Sequence, residues 1–564
     1  MNLPVMEEIS ASRDMIQEFG GYNRNFRIGD GEFYDMENLT GDYFPILSNR
    51  QSRGLVRQMV KPNGLFATDR LAWVDGTSFF YNGSLVGEVS DCEKTFVAMG
   101  AYLILFPDKK AYNTYTGEFF SLGAKFSTVG NTYFRLAKVD GEEYAVKSVG
   151  TSAPVEPANG DLWLDTSSKP HVLKQYSGNS GAWTAVPTTY VRIGATGIGK
   201  KFKEYDCVTI SGCQDEQFNS DMIVWARGDD YIVVTGIIDE ALTQSEPVTL
   251  ERRVPDMDYV TQCNNRIWGC SSASHEIYAC KLGDPTNWYC YMGLSSDSYA
   301  ATIGSEGLFT GACTHLGYVL FFKDHMMHKV FGTMPGNYQV TDVRCRGVQG
   351  GSERSLVSVN EYLYYKSRNG VCRYDGSLPT GVSNALGDVS YYEAAAGAVG
   401  NKYYISMKDS SGIFSLFVYD TVRGSWYRED HTEARWFAYL DGDLYYVDQK
   451  NRLMCINGSN GTTEGAVDWY AESGDIGLSY PDSKYVSKIV LRLLLEPGAV
   501  FRLSVMYDSD GRWEEKVRVP ADQLRRCTIP IIPKRCDHMR LRLHGTGGFK
   551  LYSLSKVTEY GSEV

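Results

Sequence analysis

Residues Gly194 to Lys201 read Gly-Ala-Thr-Gly-Ile-Gly-Lys-Lys, which fits the G-x-x-x-x-G-K spacing of a phosphate-binding loop. In such a loop the glycine backbone amides cradle phosphate, the lysine neutralises it, and a following Ser or Thr holds magnesium. Here the following residue is Lys201, and the next stretch, FKEYDCVTISG, alternates like a strand, so no helix N-terminus awaits an anion. A structural turn is expected. Metal chemistry finds no better footing. His325 and His328 are three apart in a strand-like run, which sets them on opposite faces, and Cys527, Cys536 and His538 lack the close cysteine pair of a structural zinc site. Neither a metal nor a cofactor is expected.

Hydrolysis needs two carboxylates at a defined separation across a pocket, or a Ser/His/Asp set. Glu429, Asp430 and His431 lie together after Trp426, but with 68 acidic residues such neighbours arise by chance. The expectation is that no residue is catalytic and that the chain is not an enzyme. Trp163, Tyr176 and Trp183 are the one set that invites a ligand, since exposed aromatic rings stack on sugars or on a partner. The competing reading makes both tryptophans the core of a module too small to contain much else apolar.

The element that must carry any such site is a recurring hairpin. Asn360 to Gly376, NEYLYYKSRNGVCRYDG, reads as two short aromatic strands with turns at Asn369-Gly370 and Asp375-Gly376. The same pattern recurs at 69–83, 101–117, 265–283, 316–332, 401–426 and 441–458. The later starts are spaced by roughly 40 to 45 residues, the period of one four-stranded propeller blade. An isolated hairpin is marginal in water, so the copies must cover one another. The spacing predicts an all-β protein whose main body is a β-propeller of six to eight blades. Its closing blade is expected to take a strand from the segment 46–60.

Composition agrees. The 39 Tyr and 57 Gly favour strands and turns, and a helix is expected only around Glu7 to Glu18. A net charge of −12 with no basic block argues against a stable grip on nucleic acid. Thirteen cysteines at irregular spacing form no disulfide framework and suit a reducing cytoplasm. The opening MNLPVMEEISASRD has no basic or apolar targeting region, and no apolar run approaches the roughly 20 residues that cross a bilayer, so no membrane insertion is expected.

The expected domains are an extended N-terminal lead-in over 1–50, a propeller over 51–149 and 261–468, an inserted small β module over 150–260, and a C-terminal β-sandwich over 469–564. The sandwich rests on long alternating strands such as KIVLRLLLEPGAVFRLSVMYD.

Certain residues then suggest a family. Gly21-Tyr-Asn-Arg-Asn25, Asp35-Met-Glu-Asn-Leu39, Pro45-Ile-Leu47 and Arg50 in the lead-in are followed by Asn265-Arg-Ile-Trp-Gly-Cys270, Glu276-Ile-Tyr-Ala279 and Leu282-Gly-Asp-Pro-Thr-Asn-Trp288. Together they resemble the β-propeller virion proteins of tailed bacteriophages, in layout most similar to the tail hub or nozzle class, also called packaged-DNA stabilisation proteins. The module 160–186 resembles small "Gly-x-Leu-Trp-x-Asp-Thr … Trp" modules of phage tail and fibre proteins. VYDTVRGSW resembles the blade-closing residues of kelch-type propellers, which packing alone explains. The resemblance implies a structural virion protein of the tail, assembled in the bacterial cytoplasm. It would form a homo-oligomeric ring of six below the portal and adaptor, contacting other tail proteins, and DNA would pass through the lumen without specific binding. Acidic side chains facing that lumen would repel phosphate and keep the passage slippery. The alternative is a glycan-binding or glycan-cleaving receptor-recognition propeller of the tail.

Overall fold

The structure, a computed structural model, describes residues 11–478 and 485–559. Among these there is no α-helix, only strands and four three-residue 3₁₀ turns. Each recurring hairpin supplies the second and third strands of one propeller blade, and there are seven blades. Blade 1 spans 62–88, blade 2 95–121, blade 3 259–302, blade 4 311–344, blade 5 357–381, blade 6 391–430, and blade 7 436–455 plus Gly54–Gln58. The hairpin at 360–376 pairs Tyr362–Ser367 with Gly370–Tyr374, turning on Arg368-Asn369 with Gly370 at φ +114°. Its tyrosines Tyr364 and Tyr365 are buried in the gaps between blades, where they pack.

Hydrophobic side chains fill every gap between blades. Phe79 of blade 1 packs with Leu103 and Leu105 of blade 2, Ile104 with Ile267 and Trp288, and Trp268 with Phe321. Phe322 packs with Tyr365, Tyr364 with Tyr403, Tyr404 with Leu444 and Tyr446, and Trp436 with Trp73 to complete the circle. A blade is therefore a two-faced sheet whose faces are dry only because its neighbours are present. The first strand of each blade faces the axis, where backbones come close. Gly397, on that strand in blade 6, shows the consequence: a Cβ there would lie 2.6 Å from the Phe437 Cβ and 2.8 Å from a Leu444 methyl of blade 7.

The ring closes through Gly54–Gln58, which pairs antiparallel with Arg452–Cys455 as the fourth strand of blade 7. This strand lies inside the expected segment 46–60. Strand Ser425–Asp430 of blade 6 is not an edge. Its sheet continues through Gly21–Tyr22, Glu32–Glu37, Asp468–Ser473, Met539–Thr546, Val500–Tyr507 and Glu514–Pro520, giving ten strands in one sheet. The last four are one layer of the C-terminal sandwich. The facing layer is Leu39–Thr40, Leu47–Asn49, Phe549–Glu559, Tyr485–Leu495 and Arg525–Ile531, with Ala11–Ile16 added on Phe549–Glu559. Trp469 stacks on Phe549 at 3.7 Å between the layers.

Three expectations are corrected. The extended lead-in expected over 1–50 is not a separate segment; its described strands are built into both layers of the sandwich. The helix expected around Glu7 to Glu18 is, over Ala11–Ile16, a strand, because pairing with Phe549–Glu559 outweighs local helix preference; residues 7–10 and the polar tail 561–564 lie outside the described residues. The insertion begins at 124, not 150. Ala124–Ser127 pairs with Thr249–Arg252, and Thr132–Ala137 with Tyr190–Gly194, so blade 2 ends at Ser121 and 124–252 form a separate two-sheet β domain. The four-stranded module Ser148–Ala185 is inserted in that domain in turn.

Gly397→Ala is expected to lower stability by about 1–3 kcal/mol, since the methyl group meets side chains held on two sides. The shift of the denaturant midpoint in chemical unfolding measures it, and an unchanged midpoint would mean that blades 6 and 7 are not packed this closely.

Candidate functional site

A buried cluster of charge lies where lead-in, blade 6 and closing strand meet. Arg53, immediately before the closing strand, is buried and directs its guanidinium at the end of blade 6. It donates to Glu429 at 2.6 Å, to Asp430 at 2.7 Å and to the Thr432 hydroxyl at 3.0 Å. Its own N–H donates to Glu464 at 2.8 Å, a carboxylate that also bonds Arg50. Arg50 reaches Asn38 at 2.6 Å, and the Asn38 side-chain amide donates to the Asp468 carbonyl where the sandwich begins. Burial pushes the Asp430 carboxyl up, but the Arg53 charge and hydrogen bond prevail and hold it at about 2. Glu464 is likewise held below its ordinary range against burial by Arg50.

Beside this cluster is a cavity of about 490 Å³, lined among others by Glu37, Asp430, His431, Tyr446 and Lys450. Glu37 is pushed up by burial, with Arg428 and His431 opposing, and its carboxylate stands 3.9 Å from the His431 imidazole. The sequence picked out Glu429, Asp430 and His431 as neighbours. The structure joins the two acids through Arg53 rather than across a pocket, and the remaining Asp430 oxygen accepts from the Thr432 N–H. Both are committed to a buried ion cluster through Arg53, and Asp430, held at about 2, does not take up a proton near neutral pH.

The propeller axis is occupied. Arg354, in the 3₁₀ turn before blade 5, donates to Glu93 before blade 2 at 2.5 Å and to the Arg435 carbonyl before blade 7 at 3.5 Å, with its guanidinium 4.9 Å from the Trp436 ring. Blades 2 and 5 stand across the ring from each other, so this one side chain spans the opening.

The phosphate-loop lookalike is a turn. The Gly197 N–H donates to the Asp230 carboxylate at 2.6 Å, so an acid sits where phosphate would have to bind. A Cβ at Gly199 would lie 1.9 Å from the Gly228 carbonyl oxygen, which explains that glycine by packing. Trp163 is only 5% exposed and its indole N–H donates to the Gly150 carbonyl, so it presents no face to a ligand. Trp183 and Tyr176 are half-buried, their rings tilted against each other at 5.3 Å, and Trp183 meets Trp163 edge-on at 5.5 Å. Among the described residues no three His, Cys, Asp or Glu side chains are grouped to hold a metal, and no disulfide is present. Burial pushes the thiols of Cys207, Cys213 and Cys280 up to about 12, so they pack as small hydrophobes. His325 lies in a turn, whereas His328 is fully buried on the third strand of blade 4, opposite Asp342 in the strand register. It hydrogen-bonds Asp342 on one side and Ser305 on the other. Ser305 and Asp342 were not singled out in the sequence; only strand register and tertiary contact bring them to His328.

No protein-family model matches the chain, and neither does any curated protein. Solved structures similar to it include an exo-β-1,3-galactanase of Phanerochaete chrysosporium, at 9% identity over 53% of this chain and 94% of that one, TM-score 0.21. Raptor of Chaetomium thermophilum is similar at 10% identity over 74% and 30%, TM-score 0.31. A bifunctional GH43-CE protein of Bacteroides eggerthii is similar at 10% identity over 55% and 63%, TM-score 0.21. The likeness is one of fold alone. The expectation that the chain is not an enzyme is corrected: with glycoside hydrolases among the similar structures, it is not retained.

Arg53→Met is expected to cost about 3–5 kcal/mol, because Glu429 and Asp430 would remain buried without their counter-charge. Denaturant unfolding monitored by tryptophan fluorescence measures it. The folded Asp430 lies below its ordinary 3.8, so its contribution is complete above that value and is lost as pH falls towards about 2. Asp430→Asn should therefore flatten the acid limb of stability against pH, and an unchanged limb would contradict the assignment.

Proposed function

We propose that the chain is a structural component of a tailed-bacteriophage virion. It would be a tail hub or nozzle subunit that forms a homo-oligomeric ring below portal and adaptor, continues the DNA channel, and helps retain and release the genome. The observation that carries this reading is the unbroken ten-stranded sheet from blade 6 into the sandwich. Domains within one chain ordinarily move relative to each other unless their interface is extensive. Here a backbone hydrogen-bond ladder fixes them, which suits a part that must keep a passage in register. With the axis spanned by Arg354, duplex DNA has no route through a single propeller, and the passage lies between subunits. A net charge of −12 suits a lumen along which phosphates slide. Phe26, Tyr115 and Val155 are each more than 90% exposed and are available to neighbouring subunits or other tail proteins.

The half-buried edges of Trp183 and Tyr176 favour a second reading, in which the peripheral module contacts a glycan and the propeller serves receptor recognition. Binding of host-wall polysaccharide by the purified chain, lost in Trp183→Ala with the fold intact, would support it.

Electron microscopy of the purified full chain tests the first reading. A ring with an axial lumen wide enough for duplex DNA and lined mainly by Asp and Glu is expected. A monomer at all concentrations, or a ring with a mainly basic lumen, overturns it.

A further inference from the structure

Blade 4 holds a serine, a histidine and an aspartate in hydrogen-bonded order; Ser509, His538 and Asp537 of the sandwich repeat the order, but there the histidine is partly exposed, and only in blade 4 is it fully buried. His328 sits on the third strand, Met326–Phe331, fully buried. Its Nδ1 lies 2.6 Å from the Asp342 carboxylate, on the outer strand Gln339–Arg344 and directly opposite it in register. Its Nε2 lies 3.0 Å from the Ser305 hydroxyl, in the loop that joins blade 3 to blade 4. A carboxylate only accepts hydrogen bonds, so Nδ1 carries the ring proton. In the neutral ring Nε2 is then an acceptor, and the Ser305 hydroxyl donates to it. Burial lowers the His328 pKa and the nearby Lys323 ammonium adds to this, against the raising effect of Asp342. The net direction is downward, so the neutral, proton-accepting ring prevails near neutral pH.

The loop around Ser305 is pinned and open at once. Lys323, buried on the second strand, donates its ammonium to the Ser305 carbonyl at 2.7 Å and lies over the Phe309 ring at 4.8 Å. The Phe309 ring edge also packs against His328 at 6.1 Å. Two anchors thus fix the loop to the strands that carry the imidazole. On the other side, Cβ atoms built at Gly304 and Gly307 would meet nothing within 4 Å. The backbone N–H groups of residues 304–308 donate to no protein acceptor among the described residues. Open space thus adjoins Gly304 and Gly307, which flank Ser305 in the loop, and unused donors lie in the same loop.

We propose that Ser305, His328 and Asp342 form an acyl-transfer site at the rim of blade 4, whose substrates are carboxylic esters. Ser305 is the nucleophile, His328 the base, and Asp342 the positioning residue that holds the ring in the required tautomer. The Ser305 Oγ bonds to the ester carbonyl carbon while its proton passes to His328 Nε2 and the carbonyl electron pair moves onto oxygen. When that pair returns, the bond to the leaving alkoxide breaks and Nε2 hands its proton to the departing oxygen. Water then attacks the acyl-serine with the same base, releasing the carboxylic acid and restoring Ser305. No oxidant, metal or further reactant is needed. Asp342 is 55% exposed, so water competes for its carboxylate and its hold on the ring is looser than a buried acid would give. The site owes nothing to the ring assembly proposed above, and its test does not depend on oligomeric state.

The test is covalent labelling of the full chain with a fluorophosphonate probe, followed by intact mass and peptide mapping, beside turnover of p-nitrophenyl acetate. One adduct mapping to Ser305 is expected, absent in Ser305→Ala, with the labelling rate cut roughly 10²–10⁴-fold in His328→Gln. His328 is buried and its variant can fail to fold, so Asp342→Asn, at a half-exposed position, supplies the second arm. It should slow labelling at least tenfold while Asp342→Glu restores part of the rate, which a merely structural carboxylate would not do. Wild-type protein left unlabelled at Ser305, or labelled as fast in Asp342→Asn as in wild type, overturns the proposal.

Discussion

Everything in this protein depends on a buried arginine that cannot be left without its partners. Arg53 precedes the strand that closes the propeller, and its two acids end blade 6. A guanidinium taken out of water costs several kcal/mol unless carboxylates and hydrogen bonds surround it, and the same holds for the acids. The two halves of the cluster are therefore stable only together. They are together only when the segment from Asn38 to Gln58 has been laid between blade 6, blade 7 and the start of the sandwich. The closure is electrostatic in its specificity and hydrophobic in its bulk. The Trp73–Trp436 cluster fills the joint between blades 7 and 1, while Arg53 fixes which segment occupies the closing position.

The same segment makes propeller and sandwich one body. Because Gly21–Tyr22 and Glu32–Glu37 pair blade 6 to Asp468–Ser473, the outer strand of a blade becomes an interior strand of a larger sheet. An exposed edge that would invite pairing with another chain is thereby removed. Arg354 contributes a second restraint by joining loops on opposite sides of the axis. Rigidity of this kind suits an assembly part, and it equally gives a fixed frame to the Ser305 loop, pinned by Lys323 at the rim of blade 4.

The seven hairpins were legible because a two-residue period bounded by Asn-Gly, Asp-Gly or Leu-Gly turns is a local signal, and Tyr362 to Tyr374 carries it with little noise. The closing strand was legible as a segment, since a ring of blades needs one. The insertion boundary was not, because Ala124–Ser127 and Thr132–Ala137 alternate as blade strands do; only their partners, Thr249–Arg252 and Tyr190–Gly194, assign them elsewhere. Ala11–Ile16 carries no strand signal of its own and is extended because Phe549–Glu559 offers it a ladder. The Arg53 cluster was invisible for a simpler reason. Its acids lie 376 and 377 residues away, and nothing in Ser-Arg-Gly marks a buried cation. His328 stood out in the sequence only as half of a histidine pair unsuited to a metal, since its partners Asp342 and Ser305 depend on register across a hairpin and on a loop from the preceding blade.

Native-state hydrogen exchange read by mass spectrometry tests the central claim that closing strand, blade 6 and sandwich stand or fall as one unit. In rising sub-denaturing concentrations of urea, the amides of Gly54–Gln58, Ser425–Asp430 and Asp468–Ser473 should lose protection at one common free energy and with one denaturant slope. Arg53→Met should lower that common value for all three. Sandwich amides that open independently while the closing strand stays protected, or an Arg53→Met effect confined to blade 7, would contradict the account.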